Sequence, residues 1–222
     1  MDLDKIRTIE ANPGNHGGSR RLDQIQYIVI HYTSNDGDTA YNNCMYFKNT
    51  VVKASAHYFV DGNMVYRSVK DNTIAWAVGG NKYPSCLQTG GGKYFGKCTN
   101  TSSVSIEICD TKKDGRVYPT PQAIKQAQEL TEALMSRYNI PKDRVNRHFD
   151  VTGKLCPAYW CGDSNKDQKW LTEFKNDLKD NPNDTYRKIV KEKAGLSDNT
   201  IRYLMRYEYG TDLIRKLAEA MK

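Results

Sequence analysis

The stretch Val145–Trp160 reads VNRHFDVTGKLCPAYW. It gathers His148, Asp150, Lys154 and Cys156 within nine residues, and Pro157 follows at once. A neutral His nitrogen and a Cys thiolate are donors that suit Zn²⁺. The eight positions from His148 to Cys156 are too many for one helical face, so the segment between them must fold back to bring both to one ion. Lys154 precedes the Cys by two, and in an extended segment such residues point the same way. Its ammonium is thus expected to face whatever the ion holds. On this stretch alone, a buried His with a structural Cys accounts for the residues equally well.

Upstream, the chain alternates strand and helix patterns. Tyr27–Tyr32, YIVIHY, is a short apolar run expected for a strand buried on both faces, ending near His31. Residues 39–50 carry helical spacing. Ala54–Val60, an Asp61-Gly62-Asn63 turn and Met64–Tyr66 predict a hairpin, with His57 and Phe59 on one face of its first strand. A short strand over 74–78, with Trp76, leads into a Gly-containing loop over 79–103. Loops of that length often border a binding site. Val104–Cys109, VSIEIC, reads as a strand interrupted by one carboxylate, Glu107. A buried acid is costly unless paired or used; an edge strand with Glu107 facing water is the plainer alternative. Thr120-Pro121 predicts an N-cap and first turn for a helix running to about Asn139. A further amphipathic helix is expected over 167–179. The first 26 residues read as an irregular arm.

Asn181-Pro182 is the expected boundary between a main unit, residues 1–180, and a small all-helical piece, residues 181–222. Three short helices are predicted there, over 185–194, 198–209 and 212–221. Gly195 and Gly210 are expected as C-caps, with Ser197 and Thr211 as N-caps. About forty residues form only a marginal core alone, so this piece is expected to pack on the main unit or on a second copy of the chain, with binding to an anionic wall polymer as its expected role.

The 222 residues carry a net charge of +7, which favours acidic partners such as nucleic acid or an anionic wall polymer. The C-terminal piece from Asp184 contributes nine Lys/Arg against six Asp/Glu, or +3; a DNA-binding helix-turn-helix would need a recognition helix, and none stands out. No apolar run approaches a membrane span, and the charged N-terminus lacks a signal-peptide core. The expectation is synthesis in the cytosol, with action elsewhere requiring another route of release. Cysteines 44, 86, 98, 109, 156 and 161 read as reduced thiols rather than a disulfide framework; Cys86 and Cys98 flank the Gly-rich loop and are the one pair considered for a bridge.

Strands alternating with helices predict an α/β unit with a mixed central sheet flanked by helices. His31, Glu107 and the 148–156 loop then fall at or beside strand ends. His31, His148 and Cys156 make three zinc donors and leave a fourth position for water. Taken in order, IVIHYT, SAHYFVDG, IAWAVGG, SIEIC and RHFDVTGKLCP resemble the zinc-dependent type 2 N-acetylmuramoyl-L-alanine amidases, relatives of the peptidoglycan recognition proteins, in their phage endolysin form. The resemblance spans roughly residues 20–180. It implies Zn²⁺ on His31, His148 and Cys156, Glu107 as base, Lys154 facing the oxyanion, and bacterial peptidoglycan as substrate. Asp150 is then expected to orient a ligand, and His57 and Trp76 to lie on the substrate side or, for His57, to pack. The chain departs from the family pattern at Ala158, where Gly is common, and at Ala77, where His often follows the Trp. Two rival readings are a cysteine hydrolase, with Cys156 as nucleophile and His148 as base, and a non-catalytic peptidoglycan-binding module.

Overall fold

The computed structural model describes residues 1–113, 116–205, 207 and 209–222. In chain order the strands and helices are β1 (Arg7–Thr8), β2 (His16–Ser19), β3 (Tyr27–Tyr32), α1 (Ala40–Asn49), β4 (Tyr58–Val60), β5 (Val65–Arg67), β6 (Thr73–Ala75), α2 (Cys86–Thr89), β7 (Ser103–Ile108), β8 (Thr111–Lys113), β9 (Arg116–Tyr118), α3 (Pro121–Tyr138), β10 (Val145–Arg147), α4 (His148–Thr152), α5 (Ser164–Trp170), α6 (Pro182–Ala194), α7 (Asp198–Leu204) and α8 (Gly210–Ala220). Six strands form one sheet in the order β1-β5-β4-β7-β3-β10. Its β4–β5 pair is antiparallel and the others are parallel, so the sheet is mixed, as the alternating pattern predicted.

Strand alternation divides this sheet into two unlike faces. Ile28, Ile30, Val104, Ile106, Ile108, Tyr58, Val60 and Val145 lie on one, packed against Ala123, Ala127, Leu130 and Leu134 of α3. Each fully buried Ile or Leu there contributes roughly 1.5–3 kcal/mol. The other face presents Val29 and His31 from β3 and Ser103, Ser105 and Glu107 from β7. Small and polar side chains there leave room for a site. Thr120 caps α3 by accepting a hydrogen bond from the Ala123 amide; Thr39 does the same for α1 through Asn42.

Several expectations change. The N-terminal arm is not irregular throughout: β1 adds a parallel edge to the main sheet, and β2 pairs with β6 in a separate two-stranded sheet. Glu107 is not on an edge, because β7 lies between β3 and β4. The stretch at 145–160 begins as a strand, β10, added parallel to β3. The helix expected from 167 starts at Ser164 and continues as a wider turn through Leu171–Lys175.

The C-terminal helices form their own apolar cluster around Val190, Ile201, Ile214 and Ala218. Gly195 caps α6 in the left-handed conformation, as predicted, and Ser197 caps α7. Gly210, however, is the first residue of α8 rather than a C-cap, and Thr211 does not cap that helix. A Cβ at Gly210 would stand 2.2 Å from the Leu204 carbonyl oxygen, so the glycine is required by that close approach. The piece joins the main unit through side-chain amides: Asn181 donates to the Met135 carbonyl at 2.8 Å, and Asn183 to Asn139 Oδ1 at 2.7 Å. Among the described residues, no helix is long and apolar enough to cross a membrane.

Candidate metal centre

Three parallel strands deliver the site. His31 is the penultimate residue of β3, Glu107 the penultimate residue of β7, and the two are register partners. Arg147, the last residue of β10, pairs with Ile30, which places His148 beside His31. Ligand sites in open α/β sheets collect at such C-terminal strand ends.

The turn that brings in Cys156 is built locally. Asp150 accepts from the Arg147 amide at 2.8 Å, and its carboxylate is gripped by the Arg147 guanidinium at 2.7 and 2.9 Å. This closes the start of α4. Arg147 also donates to the Trp160 carbonyl and to Asp167. The chain then reverses at Gly153, whose φ is +86° and whose hypothetical Cβ would lie 2.2 Å from Cys86 Sγ. The Phe149 amide donates to the Cys156 carbonyl at 3.0 Å, so the return strand lies against the outgoing one. The Cys156–Pro157 bond is cis. Asp150 therefore holds the backbone that carries His148 and acts on that residue through the chain rather than by a bond to its ring.

Among the described residues, His31, His148 and Cys156 are the one group whose donor atoms converge, all within 4.8 Å of one another. Cys156 Sγ is 3.8 Å from His31 Nδ1, and the two imidazoles meet edge to face with centroids 4.7 Å apart. All three residues are buried. His31 Nε2 and His148 Nδ1 have no hydrogen-bond partner, and neither does Glu107 Oε2. Buried polar atoms are rarely left so, and two open ring nitrogens beside a thiol match a metal's requirements. The group could hold a metal ion.

Electrostatics agree with the packing. Burial, then the neighbouring His148 and Lys154 charges, hold the His31 pKa well below the usual histidine range. Burial and Lys154 bring His148 to about 4, so both rings are neutral donors at pH 7. Burial pushes the Cys156 thiol well up, with Glu107 adding to the effect. Burial also raises Glu107 to about 7, against the opposing pull of Lys154. The Lys154 ammonium thus acts on all four groups from an exposed position beside His148 in the adjoining groove.

His57 and Trp76 part company. His57 is wholly buried. Its Nδ1 accepts from the Ser105 amide at 3.1 Å, and its Nε2 lies 2.8 Å from Arg20 Nη2. With both nitrogens engaged it packs, and the expectation of a substrate contact is corrected. Trp76 is partly exposed and lines the groove with Lys154 and His148. The adjoining loop, expected over 79–103, forms a wall of that groove. It is stitched to the α4 backbone by Tyr83 N to Thr152 O, Gly92 N to Phe149 O and Tyr94 N to Asp150 O, at 2.8–2.9 Å. All six cysteines are free. Arg147, which anchors the donor turn, opens the RHFDVTGKLCP run but was given no role from sequence; the signal available was an Arg three residues before Asp150.

A mixed sheet carries two imidazoles and a thiol that converge beside its C-terminal strand ends, a group that could hold a metal ion. The chain belongs to the N-acetylmuramoyl-L-alanine amidase family, whose model matches residues 21–159. It is 35% identical over 162 residues to the N-acetylmuramoyl-L-alanine amidase CwlL of Bacillus licheniformis, covering 70% of this chain and 41% of that protein. It is 30% identical over 165 residues to the amidase BlyA of Bacillus subtilis (strain 168), covering 72% and 42%. The chain thus spans about two-fifths of the length of these curated relatives. Among solved structures, PlyL superimposes with a TM-score of 0.60 at 27% identity over 79% of this chain and 97% of that one. The catalytic domain of XlyA gives 0.59 at 25%, over 79% and 99%.

Proposed function

We propose that this chain hydrolyses the amide between N-acetylmuramic acid and L-alanine in bacterial peptidoglycan, with Zn²⁺ held by His31, His148 and Cys156. The observation that carries this reading is the convergence of three buried donors, two with open ring nitrogens, beside an unpartnered Glu107 carboxylate. When bound there, Zn²⁺ supplies Lewis acidity, making water a stronger acid and polarising the scissile carbonyl.

The chain's own residues do the rest. Glu107, with a pKa near neutrality, takes a proton from the attacking water and returns it to the leaving amine, a role worth roughly 10²–10⁴-fold. Lys154 places its ammonium where negative charge develops on the carbonyl oxygen. Trp76 offers an exposed ring to the substrate in the groove. The sheet behind β3 and β7 fixes His31 and Glu107 on one face, so neither must reorganise during the reaction.

The cysteine-hydrolase reading is disfavoured because Cys156 is buried, its thiol is held protonated, and its closest ring nitrogen is that of His31. A binding-only module has no use for a Glu107 kept at the donor group. Residues 181–222 are proposed as an appended module that holds the enzyme on anionic wall polymer; its net charge of +3 and the exposed Tyr203, Tyr207 and Tyr209 support this.

The deciding experiment incubates purified peptidoglycan with the protein before chelation, after chelation and after zinc is restored. New L-alanine N-termini without new reducing sugar ends, lost on chelation and regained with zinc, are expected. Activity that survives chelation but not thiol alkylation would establish the cysteine chemistry instead.

A further inference from the structure

The groove beside the three donors, about 580 Å³ in volume, has a charge pattern that bond cleavage alone does not call for. Its ionisable lining is Lys53, Lys82, Lys154, His148 and Tyr83, with no carboxylate. Lys154 belongs to the reacting centre under the function proposed above, but Lys53 and Lys82 do not. Both are exposed, and among the described residues neither pairs with an acid.

Each is nonetheless held in place by its surroundings. Lys53 has a φ of +54°, a left-handed conformation that a residue with a Cβ rarely adopts without cause. The cause is Asn15, wholly buried, whose Oδ1 accepts from the Val52 and Lys53 amides at 2.7 and 3.0 Å. Its Nδ2 donates to the Phe47 and Thr50 carbonyls at 2.8 and 2.7 Å. One buried amide thus locks the turn that sets Lys53 at the groove. Backbone strain of this kind tends to persist where function uses it. The Lys82 stem, which also lines the groove, lies over Gly92, where a Cβ would come within 2.6 Å of Lys82 Cε. The following residue, Tyr83, is tied to Thr152.

We propose that Lys53 and Lys82 determine specificity by binding carboxylates of the peptide beyond the scissile amide, so that the groove selects an acidic peptide stem. This deepens the amidase reading and rests on it. Two ammonium groups lining one groove, with no carboxylate in that lining, complement an anion rather than a neutral chain. Each contact is solvent-accessible, so its effect is modest and falls with salt.

The test uses two synthetic muramoyl-L-alanyl peptides, identical except that one carries free carboxylates after the alanine and the other carboxamides. Zinc-loaded full-length protein is expected to cleave the carboxylate peptide with a kcat/KM about fivefold higher at low ionic strength, as exposed ion pairs imply. Raising the salt should shrink the ratio. Lys53→Gln and Lys82→Gln should each move the ratio toward one through KM, leaving the carboxamide rate unchanged. A wild-type ratio of one, or a ratio that neither substitution alters, overturns the proposal. If neither peptide is cut, the amidase reading itself fails. Titration calorimetry on the same peptides then decides the carboxylate preference: tighter binding of the acidic peptide, weakened in both variants, supports it, and equal affinities overturn it.

Discussion

His31 and Glu107 are register partners on adjacent parallel strands, β3 and β7, and their side chains share one face of the sheet. A donor nitrogen and an unpartnered carboxylate are thereby fixed next to each other by backbone hydrogen bonding rather than by flexible loops. Four consequences can be measured.

Removing a donor should empty the site. Purified protein is expected to carry about one zinc per chain, and His31→Ala and Cys156→Ser should each lose most of it while remaining folded. Metal analysis alongside circular dichroism checks this. Full zinc content in Cys156→Ser would show that the thiol is not a ligand.

Glu107→Gln and Lys154→Ala should retain zinc yet lose roughly 10²-fold or more in turnover, from the usual worth of a general base and of an oxyanion partner. Glu107→Gln keeps size and loses the proton-accepting group, so a fall confined to kcat is expected. Wild-type turnover in either variant would remove that residue from the mechanism.

The metal-free protein should lose stability as pH rises from about 6.5 to 8. Burial raises Asp110 to about 8, with Asp38 and Glu107 adding to the shift and the Ser34 amide opposing it, and raises Glu107 to about 7. The unfolded chain releases these protons near pH 4. In that window the folded state therefore binds more protons, and unfolding free energy falls with pH. Below about 6.5 the depressed His31, His57 and His148 act in the opposite sense, because the unfolded chain protonates them first. Asp110→Asn should flatten the alkaline slope. Urea denaturation at pH 6.5 and 8 measures it, and an unfolding free energy that rises between them contradicts the assignment.

Gly153→Ala should destabilise the fold by roughly 1–3 kcal/mol from the positive φ alone, with more from the Cβ placed 2.2 Å from Cys86 Sγ. Adding Cys86→Ala relieves the contact but not the backbone strain, so the double variant should recover only part of the loss. Melting temperatures for the four proteins of this cycle test it; full recovery would mean that the φ is without cost.

Much of the site was legible without coordinates because it depends on local chemistry. The donors His31, His148 and Cys156 sit in short runs whose composition already says strand end or turn, and the Thr120-Pro121 start of α3 needs only its neighbours. The Gly210 expectation failed because a glycine after a helical run is compatible with a C-cap or a close approach, and only the Leu204 carbonyl decides which.

Sequence by itself determined the alternation of strands and helices, and it offered three candidate metal donors and a carboxylate within an apolar strand, since periodicity and side-chain chemistry are read from short runs of residues. Tertiary structure alone decided that β7 is central, that His57 is spent on Arg20 and Ser105, and that Lys53 and Lys82 line one groove. Those relationships join residues tens of positions apart, and they are set by sheet register and packing, which no local pattern records.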